Sequence, residues 1–314
     1  MIDPHFDIRA ARALDAPVAS AIVAVFLMGS QARGEPPAAA CRRDTDCCVV
    51  VDETFSYDRL SETVRAGMTA EGRLEVCPRT VAQVAVSRKF TFDLCVAAVR
   101  LYLRAGADDP TDSVPRPLRI PDNDIGGVLM AAIEQSSFAV RAVHDTWHEC
   151  VAVLAAEKSL LRLGEYSALE SAEYPAPRTR RNELVLDGHP DLARSLKPLA
   201  SLRSAQPASS LSVDDAMSAV MLACARELRL FMRKRGLNDR SVSPLLADPE
   251  HQEFAKDLVV AFLALAAALE NDATCLRGSR GREFAAKYRT LIEANDGLTF
   301  KPPVVTEEGY HVFK

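Results

Sequence analysis

The chain has 314 residues and a mass of 34.2 kDa, long enough for two domains that each bury a core of their own. Its 48% hydrophobic and 26% charged residues exclude a disordered or low-complexity protein. A formal charge of -5 and a pI near 5.8 argue against a broadly basic nucleic-acid-binding surface and would suit a cationic acceptor.

In chain order, residues Phe6 to Asp15 read as a helix leading into the apolar run Ala21 to Met28, which is β-branched enough to be a buried strand. Three aspartates and only two arginines precede that run, so it is not a secretory signal, and no stretch is long enough to span a bilayer. A proline-containing spacer, Glu35 to Arg43, precedes a second strand, Asp46 to Val51. A helix from Tyr57 to Met68, a third strand from Arg73 to Cys77 and helical pieces from Thr80 to Arg104 follow. Residues 107 to 125 hold four prolines and five aspartates and read as a connector.

Beyond Gly127 the chain is rich in Ala and Leu. A helical stretch is expected over Leu129 to Ala168, with Asn123 or Asp124 as its cap. Residues 172 to 190, with Arg178, Arg180 and Arg181, read as a solvated basic loop. Helices are expected at Asp191 to Leu202, Val213 to Arg235, Glu250 to Leu269 and Arg282 to Ala294. Ser210 or Ser212 and Asp248 are expected as caps, and Gly236 as an exit. An irregular tail with Pro302 and Pro303 is expected after Asn295-Asp296-Gly297. Leu258 to Leu269 is apolar on nearly every face, so it should be buried in the helical domain or against a second copy, which leaves a homo-oligomer open. None of the eight cysteines forms a C-x-x-C pair, and Cys47 and Cys48 sit inside a strand, so reduced thiols in a cytoplasmic protein are expected.

The chemistry concentrates between residues 27 and 52. Gly29-Ser30 falls at the end of the first strand, where backbone N–H groups and a hydroxyl can face an anion. Asp44 and Asp46 open the second strand, and period-two alternation sends both carboxylates to one side. A phosphate seat beside paired carboxylates suits metal-assisted nucleotidyl or phosphoryl transfer, because Mg²⁺ bridges carboxylates to substrate phosphates. Arg33 could steady a triphosphate or cap the local turn.

This segment, Gly29-Ser30-Gln31-Ala32-Arg33-Gly34, then Asp44-Thr45-Asp46 with thirteen residues between Ser30 and Asp44, resembles the signature of the DNA polymerase β-type nucleotidyltransferase superfamily. It departs from that pattern at the polar Thr45 and in the length of its spacer. The resemblance covers roughly residues 20 to 106. It implies that Glu75 supplies a third carboxylate and that Phe90 to Gly106 is the helix closing the small domain. It also implies Mg²⁺ or Mn²⁺ as cofactor and a nucleoside triphosphate, ATP being the expected one, as donor.

The expected fold class is α+β. A small mixed-sheet nucleotidyltransferase domain (1–106) and a linker (107–125) would precede an all-α helical-bundle domain (126–314). The acceptor of the NMP is left open among a small molecule such as an aminoglycoside, a protein and an RNA. Synthesis of a nucleotide second messenger and a catalytically degenerate binding or antitoxin-type protein are the alternatives. In the helical part, His144 and His148 stand four apart beside Glu149 and Cys150, an incomplete metal face. Arg141 and His148, six residues between them, weakly resemble the Arg-spacer-His motif of the HEPN ribonuclease superfamily.

Overall fold

Six consecutive apolar residues, Ile22–Leu27, form strand β1, and all six are buried. A strand covered on both faces reads as a continuous apolar run rather than an alternating one, which is why it was legible. The computed structural model describes residues 20–34, 45–52, 74–86, 88–145, 149–192, 211–295, 304–306 and 309–311. The helices expected at 6–15 and 57–68, and most of the one at 191–202, lie outside them.

β1 is an inner strand of a four-stranded mixed sheet. After β1 comes a single helical turn, α1, Gly29–Ala32. Strand β2, Thr45–Val51, pairs antiparallel with β1, with Leu27 opposite Cys47. Strand β3, Leu74–Thr80, lies on the far side of β2 and runs parallel to it. Helix α2, Val81–Ala85, starts in a capping box: Thr80 Oγ1 accepts from the Gln83 N–H at 3.2 Å, and Gln83 Oε1 accepts from the Thr80 N–H at 2.9 Å. Helix α3, Lys89–Val96, is tied to the end of α2 by Thr91, whose hydroxyl donates to the Val86 carbonyl at 2.7 Å. Val23, Ala24, Phe26, Cys48 and Val50 of the sheet form a core with Val84 of α2, Leu94 of α3 and Val114. Burying side chains the size of Phe26 or Leu94 is worth roughly 1.5–3 kcal/mol each.

Two sequence expectations in this unit need correction. Helix does not continue from Phe90 to Gly106: α3 stops at Val96, and Val99–Leu103 forms strand β4, antiparallel to β1. The β-branched and aromatic character of Val-Arg-Leu-Tyr-Leu and the open hydrogen-bonding edge of β1 outweigh local helical spacing. The Pro- and Asp-rich segment after Gly106 also does more than connect. Asp109 accepts from the Thr111 N–H and hydroxyl at 2.9 and 2.7 Å, opening a 3-10 turn, Pro110–Ser113, that delivers Val114 to the core. The chain divides into two compact units between Pro121 and Asp122.

Among its described residues the second unit is helical apart from a small hairpin. Its helices are α4 (Asp122–His144), α5 (Glu149–Glu170), α6 (Arg178–Gly188), α7 (Leu211–Lys234), α8 (Ser243–Leu246), α9 (Gln252–Asn271) and α10 (Ser279–Glu293). Tyr166, Phe231, Phe262, Tyr288, Leu129, Ile133 and Leu163 are fully buried at its centre. The stretch expected as one helical run divides into α4 and α5. Gly236, with φ at 65°, closes α7: its N–H donates to the Arg233 carbonyl and that of Leu237 to Met232. The tail, expected to be irregular, holds two short antiparallel strands, β5 (Val304–Thr306) and β6 (Gly309–His311).

The basic loop expected at 172–190 is largely helix α6, entered through Pro177. Arg181 is buried, and its backbone and Cβ lie against Gly164 of α5, where an added Cβ would sit 3.2 Å from them. Arg180 is paired with Glu173 at 2.7 Å and Glu183 at 3.2 Å. Polarity concealed this helix, because few of its residues face the core. Three basic residues near the end of α7 are also paired within the unit. Arg229 pairs with Glu270 at 2.6 Å, Lys234 with Glu170 at 2.7 Å, and Arg235 with both Asp122 and Glu170. In α9 the inner face is buried through Phe254, Leu258, Phe262 and Leu265, while Val260 is 44% exposed, so apolar character extends past the buried stripe.

Two polar groups inside this unit carry predictions. Tyr166 is fully buried beside the Phe231 ring, yet its hydroxyl has no hydrogen-bond partner among the described residues. Removing an unsatisfied buried hydroxyl recovers its desolvation cost, so Tyr166→Phe is expected to raise stability by about 1 kcal/mol in a urea titration. A loss of stability would mean that the hydroxyl is satisfied. In α4, burial pushes the Glu134 carboxyl up to about 7. The folded state therefore holds its proton more tightly than the unfolded chain, and stability falls as pH rises from about 4.5 to about 7. Glu134→Gln is expected to stabilise at pH 8 by up to about 3 kcal/mol and to leave stability at pH 4 nearly unchanged. Equal effects at both pH values would contradict this.

Candidate functional site

The end of β1 and the start of β2 are held together by their own backbone. The Met28 N–H donates to the Asp46 carbonyl at 2.7 Å, which fixes the following turn against β2. Gly29 then adopts φ of 67°, a left-handed conformation that glycine takes without the steric penalty of other residues. A Cβ built on Gly29 would collide with Asp46 Oδ2 and lie 3.1 Å from its Cγ. Glycine is thus required twice, by the backbone angle and by the carboxylate that fills the space a side chain would need. The Gly-Ser turn and the Asp46 carboxylate form one local structure.

Ser30 follows in α1, whose turn is completed by the Arg33 N–H donating to the Gly29 carbonyl at 3.4 Å. Arg33 closes that turn and is half-buried. On the other side of β2, the parallel ladder places Asp46 directly opposite Glu75 of β3. Neighbouring strands are separated by about 4.8 Å, so the two positions are adjacent across the sheet. Asp44 precedes β2 and lies outside the described residues, as does the spacer 35–43. Of the six candidate positions, five are therefore placed at one end of the sheet: Gly29, Ser30, Arg33, Asp46 and Glu75. Comparison of the chain with protein-family models, curated proteins and solved structures finds no match.

Two thiols of β2, Cys47 and Cys48, follow Asp46 directly. Burial, followed by the Asp46 charge, pushes the Cys47 thiol up to about 12, and burial pushes that of Cys48 higher still. Among the described residues, no group of three or more His, Cys, Asp or Glu side chains is gathered to hold a metal ion. Asp44, a member of the expected ligand set, lies outside those residues. Asp46 and Glu75 are carboxylate residues, hard oxygen donors by type, and stand in register on β2 and β3.

The other sequence candidates are used within the fold. His144 Nε2 donates to the Leu276 carbonyl at 2.6 Å, so this nitrogen is committed to the turn before α10. Arg141 Nε donates to Asp145 at 2.8 Å, and Asp145 also receives Arg289. His148 lies outside the described residues. Sequence reasoning missed two pairings. His189, at the end of α6, places Nε2 2.9 Å from Glu227 Oε1 of α7. Cys48 and Cys77 stand in register on β2 and β3. Neither has a local sequence signal, since each joins residues that only the tertiary structure brings together.

Proposed function

We propose that the first unit is a metal-dependent nucleotidyltransferase domain that moves an NMP from a nucleoside triphosphate, ATP in the first instance, to a hydroxyl or amine of an acceptor. The observation that carries this reading is the close approach of the Gly29 turn to the Asp46 carboxylate. A phosphate-facing turn and a cation-binding carboxylate must be neighbours if one triphosphate is to meet both.

Asp44 and Asp46 would hold Mg²⁺ or Mn²⁺, with Glu75 completing the set. When bound, the ion neutralises charge developing on the triphosphate. The Gly29-Ser30 turn holds the terminal phosphates, and Arg33 adds positive charge at their edge. The acceptor oxygen or nitrogen attacks the α-phosphorus in line, the bond to the bridging oxygen breaks, and pyrophosphate leaves. The acceptor's proton passes to Glu75 or to water.

The testing experiment incubates the purified protein with each α-phosphate-labelled NTP and Mg²⁺ or Mn²⁺, with and without cell extract. Label entering a product supports the reading, and the product's size and its nuclease or protease sensitivity separate small-molecule, protein, RNA and nucleotide acceptors. Metal-dependent nucleotide binding without transfer in any combination would replace it with a binding or antitoxin-type role.

A further inference from the structure

We infer that Cys48 and Cys77 form a reversible disulfide that draws β2 against β3 beside the candidate site. The effect on transfer rests on the nucleotidyltransferase reading, whereas the disulfide itself does not. The parallel ladder pairs Cys48 with Cys77, two residues beyond the pair Asp46 and Glu75. In-register neighbours lie about 4.8 Å apart, inside the Cα separation of roughly 4.4–6.8 Å that a disulfide spans. Cys47 belongs to the opposite face of β2 by alternation and pairs with Val76. The two thiols differ in access: Cys48 is fully buried, whereas Cys77 is half-buried and gives an oxidant its way in.

With a peroxide as oxidant, the Cys77 sulfur takes one peroxide oxygen and becomes a sulfenic acid, releasing water. The Cys48 sulfur then displaces that oxygen. The S–S bond forms as the S–O bond breaks, and the oxygen departs as water with the Cys48 proton. Two thiols lose two electrons and one peroxide becomes two waters. The bond requires a Cβ separation of about 3.8 Å, so the two Cβ atoms must lean together by about an ångström, which tilts the two strands locally while their Cα separation stays in range. Disulfides closed at such a cost are the readily reduced, regulatory kind. Asp46 and Glu75 ride on the same two strands, and a displacement of about 1 Å at a reacting centre costs about a hundredfold in rate.

The test treats the full chain carrying Cys47→Ser, which removes the neighbouring thiol, with hydrogen peroxide. Free thiols are then alkylated under denaturing conditions, and non-reduced peptides are mapped by mass. The expected product is a single linked pair joining the Cys48 and Cys77 peptides, abolished by dithiothreitol and absent from the further variant Cys77→Ser. Label transfer is expected to fall about a hundredfold on oxidation, to recover on reduction and to be insensitive to peroxide in Cys77→Ser. Alkylation of both thiols after peroxide, or a link from Cys48 to Cys95 instead, would overturn the proposal. So would a linked pair with undiminished transfer. If the reduced protein transfers no label, the functional reading fails while the peptide map still decides the disulfide.

Discussion

Asp46→Asn is expected to lower label transfer by about three orders of magnitude, roughly 4 kcal/mol in the activation barrier, while leaving the urea midpoint nearly unchanged. Asparagine keeps the shape of the side chain that lies against Gly29, so packing at the turn is preserved. What it removes is a negative charge and one anionic oxygen, which a divalent cation requires. Asp46 is only half-buried, and substitutions at such positions shift stability by about 0.5 kcal/mol. The separation of the two readouts is the test. Transfer equal to that of the unaltered protein would remove Asp46 from the chemistry, and a large loss of stability would make it structural.

The second large effect is expected at Gly29. Alanine there meets two penalties: the left-handed backbone, about 1 kcal/mol, and overpacking against the Asp46 carboxylate, about 1–3 kcal/mol. Gly34 separates them, since it has nearly the same φ, 65°, but no described atom within 4 Å of where its Cβ would stand. Gly34→Ala should therefore cost only about 1 kcal/mol, and Gly29→Ala about 2–4 kcal/mol together with loss of transfer. Combining Gly29→Ala with Asp46→Ala should recover part of the stability, because shortening residue 46 relieves the collision, and residues in contact are not additive. Equal costs for the two glycine substitutions, with additivity in the double variant, would show that the turn and the carboxylate do not meet.

Legibility in the sequence followed the range of the interaction. β1 and β2 were readable because continuous burial writes itself as Ile-Val-Ala-Val-Phe-Leu and Cys-Cys-Val-Val-Val. The exit at Gly236 was readable because a left-handed residue closing a helix has a local residue preference. β4 was not readable: Val99 to Leu103 has helical neighbours, and only the open edge of β1 decides its conformation. Helix α6 was hidden by its arginines, of which Arg181 turned out to be buried. Gly29 and Asp46 were each legible as residue types at a suggestive spacing. That one occupies the space the other leaves became visible only once the antiparallel pairing was in place.

The parallel pairing of β2 with β3 also bears on the order in which the molecule assembles. A parallel neighbour cannot be reached by a tight turn, and residues 52 to 73 must close a crossover before Asp46 and Glu75 meet. Closing a segment of that length costs roughly 3 kcal/mol in chain entropy before any contact repays it. The β1–β2 ladder brings Gly29 to Asp46 across a shorter stretch of chain. The Gly29 turn and the Asp46 carboxylate therefore come together early, and the edge strand that carries Glu75 docks late.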